Sequence, residues 1–517
     1  MKKTSSLPDE ATQPVTVDLN AGTLMGYTNR DVHTFLGIEY AESSRFQQAR
    51  PVPAWGDVRT ALVYGPACPA GANDRVEQTQ FVNLSGTNLS QNEDCLFANV
   101  WTTSTEPDAK KPVILWIHGG TYSTGAANEL SFYNGHNLAT TEEAVFVSVN
   151  HRLNVLGYSD FAEYGEDYAD SGNLGQLDLV EALRWVNNNI EKFGGDPDNV
   201  TLVGQSGGGG KVLTLLGMPE AEGLFHRAVA MSPATMWRSQ QDAQEQAQEL
   251  LEELDVAEPA DVQELSYQDL HAAAQTIGME HAPVTGTQAF PEETFTVGGD
   301  FTELASDIPL LVTTVLGEFS SNLGDMSYAV HDPDDPMQDA YQPGLTDHRV
   351  DELLTQSFGD HADEVVEAFE QTYPGHPRAH VLWMEQGPFF GHTRNAVLDA
   401  KTGHEQAPAF AAVFARPLPV FGGVTPPHTG GDVPFLLRND DAMEHIVAGE
   451  DAEFREYSRS ISDSLLRFAA TGDPSSDSLS WPAYTEESQS MMVFDRDIRV
   501  QDHHESDLYR LFAEIAE

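Results

Sequence analysis

Residues 200–212 read Val-Thr-Leu-Val-Gly-Gln-Ser-Gly-Gly-Gly-Gly-Lys-Val. Two chemistries place glycines at the end of a short apolar run. A phosphate-cradling loop needs G-x-x-x-x-G-K-[ST]. Counting back from Lys211 puts Gln205 where the first glycine belongs, and Val212 stands where a hydroxyl would hold magnesium. The phosphate reading fails at both places. The second template is G-x-S-x-G between a strand and a helix, and Gly204, Ser206 and Gly208 meet it. Glycines on either side let a sharp turn pass close to the neighbouring strand and helix. The serine oxygen is then lifted clear, at a helix N-terminus that favours developing negative charge.

A serine alkoxide is too basic to form unaided at neutral pH. It needs a histidine base, and the base needs a carboxylate to orient it. The tetrahedral intermediate also needs backbone donors for its oxyanion. Val113-Ile-Leu-Trp-Ile-His-Gly-Gly-Thr supplies a candidate donor loop, a strand running into His118-Gly119-Gly120. Eighteen histidines and 81 acidic residues compete for the other two roles, so residue type alone does not select them.

These groups need rigid elements to hold them. Pro112–Ile117 and Ala144–Asn150 are continuous apolar runs of strand length, the pattern of a sheet buried on both faces. Leu179, Leu183, Val186 and Ile190 recur at helical spacing, and Phe193-Gly-Gly-Asp-Pro-Asp closes that helix. The strand Val200–Val203, the glycine turn and an apolar helical segment from Val212 to Leu216 follow. Residues 15–40 read as short strands and turns. Residues 239–275 are helical, with an apolar stripe of Ala243, Ala247, Leu250, Leu251 and Leu254 ended by Pro259. The stretch 325–405 is acidic, with scattered His and Pro. A last helix carries Ile461, Leu465 and Phe468 and stops at Gly472-Asp-Pro. The alternation predicts an α/β fold, a large, mostly parallel twisted sheet with helices on both faces. One domain spans residues 1–517, with helical excursions near 239–300 and 325–405 above the site.

The 517 residues carry 81 acidic and 27 basic side chains, a net charge of −54. That surface repels nucleic acid and anionic lipid, so neither is expected as a partner. Only seven basic residues are lysine. Excess carboxylate with little lysine suits a protein solvated in salty surroundings, or a lineage with generally acidic proteins. No apolar run approaches the ~20 residues that span a bilayer. The opening Met-Lys-Lys-Thr-Ser-Ser-Leu-Pro-Asp-Glu has no apolar stretch, which predicts a cytoplasmic chain. Cys68 and Cys95 are too few for a disulfide scaffold and match no metal spacing. Asn83 and Asn88 begin formal glycosylation sequons that signify only a polar loop.

Over nearly its whole length the chain resembles the type-B carboxylesterases, the group that also contains lipases and cholinesterases. The resemblance rests on Phe35-Leu-Gly-Ile-Glu-Tyr-Ala with Arg45-Phe46, on Glu93-Asp-Cys-Leu, and on Asn150-His-Arg-Leu with Leu156-Gly157. It continues through Gly172-Asn-Leu-Gly, Asp178, Ala182-Leu-Arg-Trp-Val, Phe193-Gly-Gly-Asp-Pro and Leu224-Phe-His-Arg-Ala, to Thr471-Gly-Asp-Pro and Trp481-Pro-Ala-Tyr. It implies an α/β-hydrolase fold and hydrolysis of small carboxylic esters without metal or organic cofactor. It assigns Ser206 as nucleophile. Asp307-Ile-Pro-Leu-Leu-Val-Thr-Thr-Val-Leu-Gly-Glu resembles the segment ending in the triad acid, which points to Glu318. Pro427-His428-Thr-Gly-Gly-Asp432-Val-Pro-Phe resembles the segment of the base, which points to His428, with His404 as runner-up. His118 and His151 fall in scaffold motifs. Gly120, Thr121 and Gly207 are the implied oxyanion donors. Cys68 and Cys95 occupy the positions of a disulfide found in secreted relatives.

The chain departs from the family pattern in places. Gln205 stands where glutamate is usual, Gly207 replaces alanine, Thr121 replaces a glycine, and the His428 segment has one extra residue before Asp432. The Ala41–Arg45 loop is short. The stretch 70–90 lacks the tryptophan that stacks choline in cholinesterases. Two other functions use the same scaffold. One is acyl transfer on amides, lactones or thioesters with the same triad. The other is a non-catalytic binding role, as in neuroligins, which lack the serine.

Overall fold

The computed structural model describes residues 12–70, 89–318, 347–386, 388–403, 407–419, 426–447 and 449–516. The asparagines of the two sequons, most of the 70–90 stretch and His404 lie outside them.

One large sheet organises these residues. Its strands are β1 (Gln13–Asp18), β2 (Thr23–Asn29), β3 (Val32–Glu39), β4 (Phe97–Thr102), β5 (Lys111–Ile117) and β6 (Val145–Val149). They continue with β7 (Gly195–Gln205), β8 (Arg227–Met231), β9 (Leu310–Val315), β10 (Ala409–Phe414), β11 (Met491–Phe494) and β12 (Arg499–Gln501). The spatial order is β1-β2-β3-β4-β6-β5-β7-β8-β9-β10-β11-β12, with Arg59–Thr60 beside β2. From β6 to β11 every neighbouring pair is parallel, and antiparallel strands flank that centre on both sides.

Alternation along the strands explains the buried centre. Val113, Leu115 and Ile117 of β5 join one core with Leu179, Leu183 and Val186. Ile114 and Trp116 join the opposite core with Ile461, Leu465 and Phe468. Successive side chains point to opposite faces, so a strand covered on both sides must be apolar throughout. The helices responsible are α1 (Leu174–Asn189) and α2 (Gly207–Leu216) on the first face.

Further along come α3 (Gln240–Glu253), α4 (Tyr267–Thr276), α5 (Asp347–Phe358), α6 (Ala362–Thr372), α7 (Pro388–Thr402), α8 (Asp451–Thr471) and α9 (Ser506–Ala516). Helix α8 covers the second face and ends at Gly472, whose φ of 81° is the left-handed stop anticipated there. The helical stretch 239–275 is two helices. Ser239 and Ser266 cap them by accepting the N–H groups of Asp242 and Asp269, each at 3.1 Å. Pro259 opens a short 3-10 helix, Pro259–Glu264, between them. Within 325–405, α7 is a sheet-covering helix that packs on β9 and β10.

Two boundaries differ from the sequence reading around the serine. Strand β7 reaches back to Gly195 across a register irregularity before Val200, because Gly195 pairs with Lys111 despite the intervening Asp-Pro-Asp-Asn. Helix α2 starts at Gly207, so all four glycines are helical. Glycine costs a helix about 1 kcal/mol relative to alanine. Tertiary packing overrides that here, since a Cβ on Gly207, Gly208, Gly209 or Gly210 would meet backbone atoms within 2.1–2.9 Å.

Candidate active site

Parallel strands end on a common edge, and open α/β sheets bind ligands outside those carboxyl ends. The expected residues sit there. The segment 118–122 follows β5, Ser206 follows β7, Glu318 lies three residues beyond β9, and His428 lies in the segment after β10.

Ser206 has φ 56° and ψ −123°, a left-handed backbone for a non-glycine residue. Such conformations cost about 1–3 kcal/mol and need surroundings that enforce them. The Ser206 N–H donates to the Met231 carbonyl at 2.8 Å. Its own carbonyl accepts from the N–H groups of Gly210 and Ala234, both at 3.0 Å. The turn is thus fixed from the neighbouring strand and from the first turn of α2. Ser206 is partly exposed between buried neighbours.

The 119–121 loop lies against this turn. A Cβ on Gly119 would sit 3.3 Å from the Cβ of Ser206, and one on Gly207 would sit 2.1 Å from the Thr121 carbonyl oxygen. The space an alanine methyl would take at 207 is therefore filled by the Thr121 backbone. Gly120 and Thr121 both have positive φ, 89° and 53°, and the Thr121 hydroxyl donates to the Gly120 carbonyl at 2.7 Å. Gly207 opens α2, where N–H groups lack intrahelical acceptors and the helix dipole is positive.

Glu318 is buried. Its Oε1 accepts from the Ser232 hydroxyl at 2.7 Å and from the Val315 N–H at 3.0 Å. Gly317 and His428 form a parallel bridge. The Gly317 N–H donates to the Pro427 carbonyl at 3.0 Å, and the Thr429 N–H to the Glu318 carbonyl at 3.2 Å. On the other side, Gln205 Nε2 donates to the Thr429 hydroxyl at 2.9 Å. The backbone around His428 is thereby tied both to the segment carrying Glu318 and to the residue preceding Ser206. The extra residue in the His428 segment is absorbed in a turn, where the Gly431 N–H donates to the His428 carbonyl at 2.8 Å and Gly430 takes φ 75°.

Burial governs the electrostatics. It pushes the His428 imidazole down to about 4. It pushes the Glu318 carboxyl up to about 8, opposed by the donors from Val315 and Ser232. It also raises Asp432 to about 7. His428 Nε2, Glu318 Oε2 and both Asp432 carboxyl oxygens are buried without a hydrogen-bond partner. Every charge here is penalised while it stands alone.

Sequence reading missed Ser232 and Thr429. Ser232 follows directly on Arg227–Met231, the strand beside that of Glu318, and this adjacency is the only signal it offers. Gln205 was legible only as a departure. Cys68 and Cys95 are free, buried thiols. The resemblance implies a bridge between them, and this structure holds them as two thiols. The two are joined instead by a hydrogen bond that, with burial, raises the Cys95 thiol, while Cys68 Sγ accepts the Leu153 N–H at 3.3 Å. His118 and His151 are fully buried and stacked, with ring centroids 4.7 Å apart. Among the described residues no group of three or more His, Cys, Asp or Glu is arranged to hold a metal ion. None of their helices is long and apolar enough to cross a membrane.

The mostly parallel sheet, its flanking helices and the strand–serine–helix turn define an α/β-hydrolase. The sequence profile of the carboxylesterase family matches residues 13–512, and the chain belongs to that family. It is 31% identical over 507 residues to the para-nitrobenzyl esterase of Bacillus subtilis (strain 168), covering 94% of this chain and 96% of that one. It is 30% identical over 510 residues to the phenmedipham hydrolase of Pseudarthrobacter oxydans, covering 93% and 95%. The solved structure of an esterase from anaerobic Clostridium hathewayi, described as able to hydrolyse aliphatic aromatic polyesters, superposes with a TM-score of 0.84 at 34% identity. It covers 98% of this chain and 100% of that one. The protein is an enzyme, a carboxylesterase.

Proposed function

We propose that the chain hydrolyses small carboxylic esters through an acyl-enzyme, within one domain that spans its length. Ser206 Oγ attacks the ester carbonyl carbon. The carbonyl π pair moves onto oxygen, and the serine proton passes to Nε2 of His428. Glu318 orients the imidazole and pairs with its charged form. The N–H groups of Gly120, Thr121 and Gly207 bind the oxyanion. When the intermediate collapses, the departing alcohol takes the proton from His428. Water then attacks the acyl carbon, passing its proton to His428, and Ser206 leaves with that proton restored.

One observation carries this reading. Ser206 is held in a left-handed turn at the edge where hydrogen bonds from Gln205 and around Gly317 draw in the segment of His428. The unpartnered Nε2 of His428 supports its role as base, since catalytic hydrogen bonds are often long before substrate binds. Esters that carry an aromatic group are the first substrates to test, because similar chains are named for nitrobenzyl esters and aliphatic aromatic polyesters. Replacing Ser206→Ala should abolish turnover of p-nitrophenyl esters and labelling by a fluorophosphonate while leaving the unfolding midpoint within a few degrees. Near-wild-type hydrolysis by that variant rejects the triad. A parallel series of p-nitroanilides and thioesters separates ester hydrolysis from related acyl transfers.

A further inference from the structure

Lys211, the residue that makes the glycine cluster look like a phosphate loop, has no part in the mechanism above. It lies in α2, five positions beyond Ser206, with no exposed surface. Its Nζ has no hydrogen-bond partner. It lies 5.5 Å from the ring centroid of Tyr122, the residue next to Thr121. Tyr122 in turn packs edge-on against Tyr158 at 5.4 Å. The other groups that act on Lys211, or on which it acts, are His118 at the start of the oxyanion loop, His151 after β6, and Cys68. No carboxylate of the described residues is among them. His118 Nδ1 lies 2.9 Å from the Gly119 carbonyl, which places the ring proton on Nδ1 and leaves Nε2 as a lone pair. Burial and the nearby ammonium hold both imidazoles in their neutral forms.

An unpaired buried ammonium is costly, and a methionine of similar length would fit an apolar setting better. Its location explains its presence. Helix α2 and the 119–122 loop are pressed together at two levels, Gly207 on Thr121 and Gly210 on Tyr122, where a Cβ would sit 2.6 Å from the Tyr122 hydroxyl. Lys211 is the charge at the second level. We propose that Lys211 is a positioning residue for ester hydrolysis, an amine enclosed behind the oxyanion loop that, when protonated, stabilises the anion formed when Ser206 attacks. In a dry interior such a charge acts over a longer range than in water, and it favours the transition state over the neutral ester.

The inference rests on the triad reading, so Ser206→Ala is measured alongside. Replacing Lys211→Met should lower kcat about tenfold with KM within twofold, the order expected of one enclosed unit charge. A trifluoromethyl ketone, which binds a catalytic serine as an anionic hemiketal, should lose affinity by a similar factor. Lys211→Arg, which keeps the charge if it folds, should retain more activity than Lys211→Met. Burial lowers the lysine to about 7, so the wild type should lose its advantage as pH rises beyond that point, while Lys211→Met should show the low plateau throughout. Independently of any variant, ketone binding to the wild type above pH 7 should take up a proton, read by calorimetry in buffers of different ionisation enthalpy. Unchanged kcat, ketone affinity and pH profile in Lys211→Met overturn the inference, as does the absence of proton uptake in the wild type. An active Ser206→Ala variant overturns the triad itself, a separate failure.

Discussion

At the scale of single residues, the chemistry depends on which charges burial forbids. His428 can accept a proton only as neutral imidazole, and burial lowers its affinity for a proton to about 4. The neutral form therefore persists well below the usual histidine range. The acid limb of kcat/KM should bend near pH 4 to 5 where His428 sets it, and near 8 where the Glu318 carboxyl, raised to about 8, must ionise first, read from initial rates across pH 3.5 to 9 on a neutral ester. An inflection at the ordinary histidine value, near 6.5, would show that the imidazole is not shielded in this way. Sequence legibility at this scale was uneven. Ser206 announced itself through local spacing, because a sharp turn needs glycines around it. Glu318 and His428 did not, since nothing local sets them apart from 80 other acidic residues and 17 other histidines. Only the resemblance singles them out. Ser232 was not legible at all, because its role comes from the strand beside it.

At the scale of elements, the helices do more than cover the sheet. Arg394 of α7 donates to the Thr314 hydroxyl of β9 at 2.6 Å and pairs with Glu505, just before α9, at 2.9 Å. Tyr373, just past α6, donates to the same carboxylate at 2.5 Å. Both members of the ion pair are buried, at 0% and 2% side-chain exposure. Removing one partner strands the other charge, at a cost of about 3–5 kcal/mol. Arg394→Met should therefore lower stability by that amount in urea unfolding. The double variant with Glu505→Gln should recover part of the loss. An unchanged midpoint in Arg394→Met would sink this account of how the C-terminal helix is held. The strands of this architecture were readable as apolar runs, since burial on both faces leaves no other option. The start of α2 was not, because glycine has poor helix propensity and only contacts distant in sequence explain it. The helical stretch 239–275 holds two helices, because α3 already ends at Glu253, ahead of Pro259, and the cap of Ser266 starts α4.

For the whole molecule, a net charge of −54 is the dominant fact. Most of those carboxylates are exposed and repel one another, and salt screens that repulsion within ~3 Å at 1 M and ~30 Å at 0.01 M. The thermal midpoint should fall by more than ~5 °C when potassium chloride is lowered from ~1 M to ~0.01 M, followed by circular dichroism at constant pH. A midpoint that does not move would leave the acidic surface without a role in stability.

The run Gly207–Gly210 also limits how this enzyme can change. Gly207 and Gly208 face main-chain atoms of Thr121 and Ile117, in the loop after β5 and at the end of that strand, and Gly209 and Gly210 face those of Met231 and Ala234, at the end of β8 and just beyond it. No rotamer relieves a collision between a Cβ and a carbonyl oxygen. Randomised libraries should return these four codons nearly untouched, and new specificities should be sought in side chains elsewhere around Ser206.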